Sequence, residues 1–168
     1  MTDFSTHLRE HARVIWQAAV AAVDPFDLVR AALTNPPPGL AEAERILVVG
    51  GGKAGAVMAA GVEAALPSQR ERLSGVVNVP AETVRPLHSI RLHAARPAGT
   101  NHPTAEGVAG ARAMLDLVRQ AGPRDVGLCL LSGGGSALLP APVEGITLQD
   151  KQHVTSLLHA CGATINEM

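Results

Sequence analysis

A lysine that follows three glycines is the first group in this chain whose setting suggests chemistry. Lys53 ends the run Gly50-Gly-Gly-Lys, which comes directly after the apolar residues 46–49 and before a helical pattern. A strand, a glycine loop and a helix in this order present backbone N–H groups at a helix N-terminus, where peptide dipoles favour an anion. A cation there opposes the dipole, and such conflicts concentrate at functional sites. We therefore expect Lys53, with Gly51 and Gly52 beside it, to meet a phosphate or a carboxylate.

A second glycine loop follows another apolar run, at residues 126–131. Three consecutive glycines are costly in conformational entropy, so a role as a simple connection explains them poorly. Their amides can form an N–H nest, and the flanking hydroxyls can bond a phosphate or a carboxylate. The G-x-S-x-G pattern of serine hydrolases is absent. The candidate binding residues of this loop are Ser132, Gly133, Gly134, Gly135 and Ser136.

The first loop also fits the dinucleotide pattern G-x-G-x-x-G, through Gly50, Gly52 and Gly55. That pattern expects an acidic residue at the end of the next strand to hold a ribose hydroxyl. Here the next predicted strand ends in Val77-Asn78-Val79-Pro80, without an acid. The spacing around Lys53 is not that of a Walker A loop. A dinucleotide site and tight strand-to-helix packing by the glycines both remain alternatives.

His102 is a third candidate, in a loop between Asn101 and Pro103 that precedes a predicted helix. A loop histidine serves equally well as a binding group or as a solvated turn residue. The other histidines have no metal-ligand spacing, and neither Cys129, in a strand expected to be buried, nor Cys161 adds to one. We therefore expect no metal held by side chains of this chain alone.

Apolar runs that alternate with amphipathic patterns predict an α/β fold, a three-layer Rossmann-like domain with a mostly parallel sheet. The predicted strands lie at about 46–50, 75–79, 89–94 and 126–131, and predicted helices begin near residues 8, 25, 54, 104 and 147. Ligands of such folds collect at the carboxyl ends of the strands, where both glycine loops and the His102 loop fall. Three helix faces are expected to be buried: Ala54, Val57, Met58, Gly61, Val62 and Ala65; Val108, Ala111, Leu115 and Val118; and Val154, Leu157, Leu158 and Cys161.

Composition narrows the class of protein. The 168 residues are 46% hydrophobic with a formal net charge of −1, which predicts one folded α/β domain and gives no basic surface for nucleic acid. We find no signal segment and no stretch with the length of a membrane span, so a cytoplasmic protein without a membrane partner is expected. The last residues, 163–168, look like the start of another element. The domain is therefore expected to be incomplete.

Four segments together resemble the glycerate 2-kinase family with a MOFRL-type C-terminal domain. They are the Gly-Gly-Lys-Ala segment with its strand and helix, the His-Pro loop, Leu131-Ser-Gly-Gly-Gly-Ser-Ala-Leu-Leu139, and Cys161-Gly-Ala-Thr-Ile-Asn-Glu167. After His102-Pro103 the chain continues Thr104-Ala105, where the family has an acidic residue nearby. The resemblance covers nearly the whole chain.

The resemblance implies a two-domain α/β protein that transfers the γ-phosphoryl group of ATP to the 2-hydroxyl of D-glycerate, with Mg²⁺. It places the active-site lysine at Lys53 and the glycine-rich binding loop at Ser132–Ser136. It also implies that residues 1–168 are an incomplete N-terminal domain, inactive alone. Two other interpretations stay open: an NAD(P)H-dependent hydroxypyruvate reductase and a non-catalytic module that binds a phosphate ligand. A homo-oligomer is left open too.

Overall fold

The computed structural model describes residues 2–164 and 167. Six helices and four strands lie along these residues, with short 3-10 turns at Pro67–Arg72 and Ala81–Thr83. The strands are β1 (Ile46–Gly51), β2 (Leu73–Pro80), β3 (Ile90–Arg96) and β4 (Val126–Leu131). The helices are α1 (Thr2–Ala22), α2 (Pro25–Thr34), α3 (Gly55–Ala65), α4 (Ala105–Arg119), α5 (Gly135–Leu138) and α6 (Leu148–Ala160). All four predicted strands are confirmed; α5 is the one helix that periodicity did not predict.

The strands form one parallel sheet in the order β3-β2-β1-β4. β2 and then β3 lie on one side of β1, and β4 pairs with the opposite side. This confirms the predicted α/β fold with a parallel sheet. Strand order reverses between β1 and β4, so the switch point of the sheet lies at the carboxyl ends of these two strands.

Helices cover both faces of the sheet. Side chains along each strand alternate in direction, so successive residues of a strand contact helices on opposite faces. On β2, Val77 and Val79 face α3, where Gly55 lies against both of them, while Asn78 faces Gly107 and Gly110 of α4. The main core lies on the α3 side, with α2 packed against the outside of α3. These layers match the predicted three-layer arrangement.

The prediction that β4 is a buried strand is wrong for one of its faces. Leu130 is buried, but Cys129 is exposed and Leu131 is 62% exposed. An open apolar groove separates this face from Met114 and Leu115 of α4. The continuously apolar sequence indicated a strand covered on both sides. Instead, β4 is an edge strand of the described sheet, and α4 lies over β2 and β3.

The predicted helix faces also need correction. In α3, Gly61 and Val62 of the predicted face are buried, but Val57 and Met58 are only partly buried, and the buried residues also include Ala56, Ala59 and Glu63. This helix contacts both the sheet and α2, so its buried surface is wider than one stripe. In α4, Ala111 is buried as predicted and Val108 is half-buried, and in α6 Leu158 is half-buried; Leu115, Val118, Val154 and Leu157 are exposed.

The first helix, α1, is exposed along residues 6–22, including Ile15 and Trp16 of its apolar side. α1 has 21 residues, but none of the described helices is both long enough and apolar enough to cross a membrane. The predicted further element after Gly162 falls on residues 163–168, of which 165, 166 and 168 lie outside the described residues.

Helix ends follow the sequence signals closely. The Asp24 carboxylate accepts from the amides of Phe26 and Asp27 at the start of α2, and the Thr104 hydroxyl accepts from the Gly107 amide. The predicted capping box of Thr147 and Asp150 is present in full. Such caps satisfy amides that a helix leaves without partners, so they fix the residue at which each of these helices begins.

Candidate functional site

The two glycine loops meet at the switch point of the sheet. The register pairs Gly51 at the end of β1 with Leu131 at the end of β4. Beyond this pair the hydrogen bonding continues into the loops, since the Ser132 amide donates to the Gly51 carbonyl at 3.3 Å. The structure therefore brings together the two loops that the sequence singled out separately.

Two further hydrogen bonds join the loops directly. The Lys53 amide donates to the Gly133 carbonyl at 2.8 Å, and the Ala54 amide donates to the Ser132 hydroxyl at 3.1 Å. A side chain at position 52 would prevent this approach, because a Cβ on Gly52 would lie 2.0 Å from the Ser132 Oγ. The first loop thus needs glycine to lie against the second.

The amides of the first loop are used within the protein. The Gly52 amide donates to the Asn78 carbonyl at 3.2 Å, and the Gly55 amide donates to the Gly52 carbonyl at 3.1 Å. With the bonds of Lys53 and Ala54, four successive amides at this helix N-terminus have protein acceptors. The expected open anion loop is corrected here, because the second loop, Asn78 and the first loop itself accept from the amides that an anion would need. Gly51 and Gly52 hold that loop in place, and their contact with phosphate stays a prediction.

The second loop presents its amides openly. Within the described part of the chain, the N–H groups of Gly133, Gly134, Gly135 and Ser136 donate to no protein acceptor. Gly134 has a φ of +89°, in the left-handed region, which turns the chain so that successive amides can face one side. Gly133 and Ser136 are exposed. This loop has the donors and the access that an oxyanion requires.

The Lys53 side chain lies over the second loop. Its Cγ and Cε atoms are each 3.4 Å from the position that a Cβ on Gly134 would take. Lys53 is exposed, and its ammonium group forms no hydrogen bond or ion pair with any described residue. A cation without a protein partner and four amides without acceptors therefore occupy the same edge of the sheet. Together they can stabilise a multiply charged oxyanion such as phosphate.

Asn78 is a site residue that sequence reasoning did not select. It is fully buried at the carboxyl end of β2, and its side chain donates to carbonyls of α4 and α5. The dinucleotide pattern expects its acid at this end of the strand. Because the Asn78 amide points inward and already has partners, it does not replace that acid. A lone polar residue in an apolar strand was the signal that could have identified it.

His102 does not join the two loops. It is exposed in the segment after β3, and β2 separates β3 from β1. No hydrogen bond among the described residues links His102 to either loop. The same segment is held by Arg96, a buried residue whose Nη1 donates to the Asn101 side chain at 2.8 Å and to the Thr100 carbonyl. A binding role for His102 stays a prediction.

A buried carboxylate supports the layer behind the site. Glu63 of α3 accepts hydrogen bonds from the amides of His88, Ser89 and Ile90, at 2.9, 2.6 and 3.0 Å. Burial raises the pKa of the Glu63 carboxyl, but these amides and the nearby His88 outweigh it, so the pKa lies below its ordinary value. Glu63 thereby fixes α3, which begins at the site, to the start of β3.

No group of three or more His, Cys, Asp or Glu side chains with the geometry to hold a metal ion exists among the described residues. The two loops, residues 50–55 and 132–136, contain no Asp or Glu, whose carboxylates are the side chains that Mg²⁺ most often binds in proteins. The described residues therefore fit a phosphate group and do not fit a complete Mg²⁺ site.

Fold and site together define a Rossmann-like α/β domain with paired glycine loops at its switch point. A family profile described as a domain of unknown function, DUF4147, matches residues 11–168. The chain therefore belongs to this family, the N-terminal domain of proteins of the glycerate kinase type.

Relatives with names fall into two groups. A protein of Agrobacterium vitis with the provisional name hydroxypyruvate reductase is 38% identical and covers 100% of this chain, and human glycerate kinase is 35% identical over 98% of it. Among solved structures, the crystal structure of a glycerate kinase from Thermotoga maritima superposes with a TM-score of 0.77, 30% identity and 96% coverage. This chain spans only 36%, 35% and 37% of these three proteins, respectively.

Proposed function

We propose that the protein containing this domain is a glycerate 2-kinase, which phosphorylates D-glycerate at the 2-hydroxyl with ATP. The observation that carries the proposal is the position of Lys53 over the open amides of Gly133–Ser136. Relatives in the same family carry the name glycerate kinase, which supports the phosphorylation of glycerate; the choice of the 2-hydroxyl is part of the proposal. A cytoplasmic location belongs to the proposal and agrees with the two free cysteines.

Each group at the site has a role that its geometry permits. The amides of Gly133–Ser136 bind phosphate oxygens, and the exposed Ser136 hydroxyl can donate to the same group. The Lys53 ammonium neutralises negative charge on the phosphoryl group during transfer. The Ser132 hydroxyl accepts from the Ala54 amide, so it positions the loops. Such a reaction depends mainly on positioning and charge stabilisation, which these residues supply.

Bound ATP would supply the γ-phosphoryl group, with the loop Gly133–Ser136 and Lys53 as the groups of this chain that hold its phosphates. We assign no step to Mg²⁺, because the described residues do not form a site for it. The remaining groups of the active site then belong to the part of the relatives that this chain does not span. We accordingly propose that residues 1–168 alone have no kinase activity.

The experiment is an assay of the native-length protein, meaning the product of the complete reading frame, beside the 168-residue chain. Both are incubated with ATP, Mg²⁺ and D-glycerate, and the product is coupled to enolase, which accepts 2-phosphoglycerate and not 3-phosphoglycerate. We expect turnover by the native-length protein and none by the shorter chain. Formation of 3-phosphoglycerate, or no product at all, would refute the proposed reaction.

A second function is considered because a relative is named hydroxypyruvate reductase. An NAD(P)H-dependent reductase needs a group for the ribose at the end of β2, where the Asn78 side chain is buried and already bonded. The kinase is therefore the better-supported function. Oxidation of NADH or NADPH by hydroxypyruvate in the presence of the native-length protein, with no ATP-dependent product, would reverse this order.

A further inference from the structure

Asn78 contacts both halves of the candidate site without being exposed to it. Its main-chain carbonyl accepts from the Gly52 amide of the first loop at 3.2 Å. Its side-chain amide donates to the Leu138 carbonyl at 2.6 Å and to the Gly107 carbonyl at 2.9 Å. One buried residue thus connects the first loop, the short helix after the second loop, and α4.

The bond to Leu138 fixes the second loop from its far end. Leu138 is the last residue of α5, and its own amide donates to the Gly134 carbonyl at 3.1 Å. A helix of this length has little stability of its own, so outside contacts decide its orientation. If the Asn78 side chain moves, α5 and the amides that precede it are free to turn away from Lys53.

The Asn78 amide is retained although it is not fully satisfied. Its Oδ1 is buried and has no hydrogen-bond partner among the described residues. Such an acceptor destabilises the fold, and leucine, an apolar residue of similar size, would remove it but would also remove the donor to the Leu138 and Gly107 carbonyls. Uncompensated polar groups of this kind concentrate where function requires a particular geometry. The two hydrogen bonds that the Asn78 side-chain nitrogen donates are the reason for an asparagine at this position.

We propose that Asn78 is a positioning residue, which holds the amides of Gly133–Ser136 in the orientation that binds phosphate beside Lys53. It touches no substrate. The proposal rests on the proposed function for its kinetic consequence, but the effect on the loop can be measured without catalysis. With Asn78, the site includes β2 in addition to the two loops.

The first test replaces Asn78→Leu in the native-length protein. We expect the KM for ATP to rise by about tenfold or more, because small misplacements of binding groups have large effects. The amide resonances of Gly133–Gly135, observed after ¹⁵N-glycine labelling, should shift in the free protein. The control Leu73→Ala, at the buried opposite end of the same strand, lowers stability without touching the loops and should change neither.

A second variant reaches the same contact without changing Asn78. A Cβ at Gly110 of α4 would lie 1.9 Å from the Asn78 Oδ1, so Gly110→Ala pushes this side chain away. The substitution favours the helix itself. We expect the same shifts and the same rise in KM, and this variant decides the question if Asn78→Leu does not fold.

The proposal is overturned if a folded variant of either kind keeps the KM for ATP within twofold and leaves the Gly133–Gly135 resonances unshifted. If the unaltered protein proves to have no kinase activity, the proposed function fails separately. The positioning role is then judged by those resonances and by the affinity of the loop for inorganic phosphate. Shifted resonances with weakened phosphate binding support it, and unchanged values refute it.

Discussion

The amide of Lys53 donates to the carbonyl of Gly133 at 2.8 Å, while the Lys53 side chain crosses Gly134. The main chain of this lysine therefore fixes the loop whose amides its side chain can assist. Lys53 supplies both the hydrogen bond to Gly133 and the positive charge beside Gly134. The distance between this charge and the amides of the second loop therefore depends on one residue. The site depends on the contact between the two loops more than on either loop alone.

Gly134 should be the least replaceable glycine of the second loop. Its φ of +89° is costly for alanine by about 1–2 kcal/mol, and an added Cβ would lie in contact with the Lys53 stem at 3.4 Å. Gly134→Ala should therefore lower both the melting temperature and kcat/KM. Gly133→Ala is the matched control, because its Cβ would meet open space. Equal losses in the two variants would contradict the geometry.

The two serines of the loop should separate stability from binding. Ser132 accepts from the Ala54 amide, so Ser132→Ala should reduce the free energy of unfolding by about 0.5–1.5 kcal/mol. Ser136 is exposed, and its hydroxyl has no hydrogen bond to a described residue, so Ser136→Ala should leave stability unchanged and weaken ATP binding. Urea unfolding and calorimetric titration with ATP measure the two effects. The opposite assignment of the two effects would reject these roles.

Glu63 should make stability depend on acidic pH. Its pKa in the folded protein lies below the ordinary value of 4.5, so its contribution is complete above that value and is lost as pH falls below it. At pH 7, Glu63→Gln should lower the free energy of unfolding by about 1.5–3 kcal/mol, as expected for hydrogen bonds to a charged group. The difference from the unaltered protein should shrink steadily below about pH 4.5.

The measurement for Glu63 is urea unfolding of both proteins between pH 7 and pH 3. Because other carboxylates are common to both proteins, taking the difference removes their effects. A difference that stays constant over this range would show that the amides of His88, Ser89 and Ile90 do not stabilise the charged form.

Local sequence signals predicted the strands, the caps and both glycine loops well. The Asp24, Thr104 and Thr147 caps form because each depends on residues within three positions of its own. Apolar runs identified β1 and β4 for the same reason. Such features depend on residues that are close in sequence and not on contacts with distant residues.

Features that depend on distant partners were predicted poorly. The exposure of Cys129 follows from the edge position of β4, which a continuous apolar run does not reveal. The role of Asn78 needs the bond to Leu138, which is 60 residues away in the sequence. The occupied amides of the first loop likewise follow from the strand order, which places Ser132 next to Gly52.

The central claim is that Lys53 acts on phosphate held by the second loop, and the kinetics of Lys53→Ala in the native-length protein test it most directly. The matched control is Lys151→Ala, which removes the other lysine of this chain, an exposed residue of α6. We predict that kcat/KM for ATP-dependent phosphorylation of D-glycerate falls by about 10²–10³ in Lys53→Ala, as when one preorganised charge-stabilising group is lost, and is unchanged in Lys151→Ala. Equal kcat/KM values for the two folded variants would contradict the account.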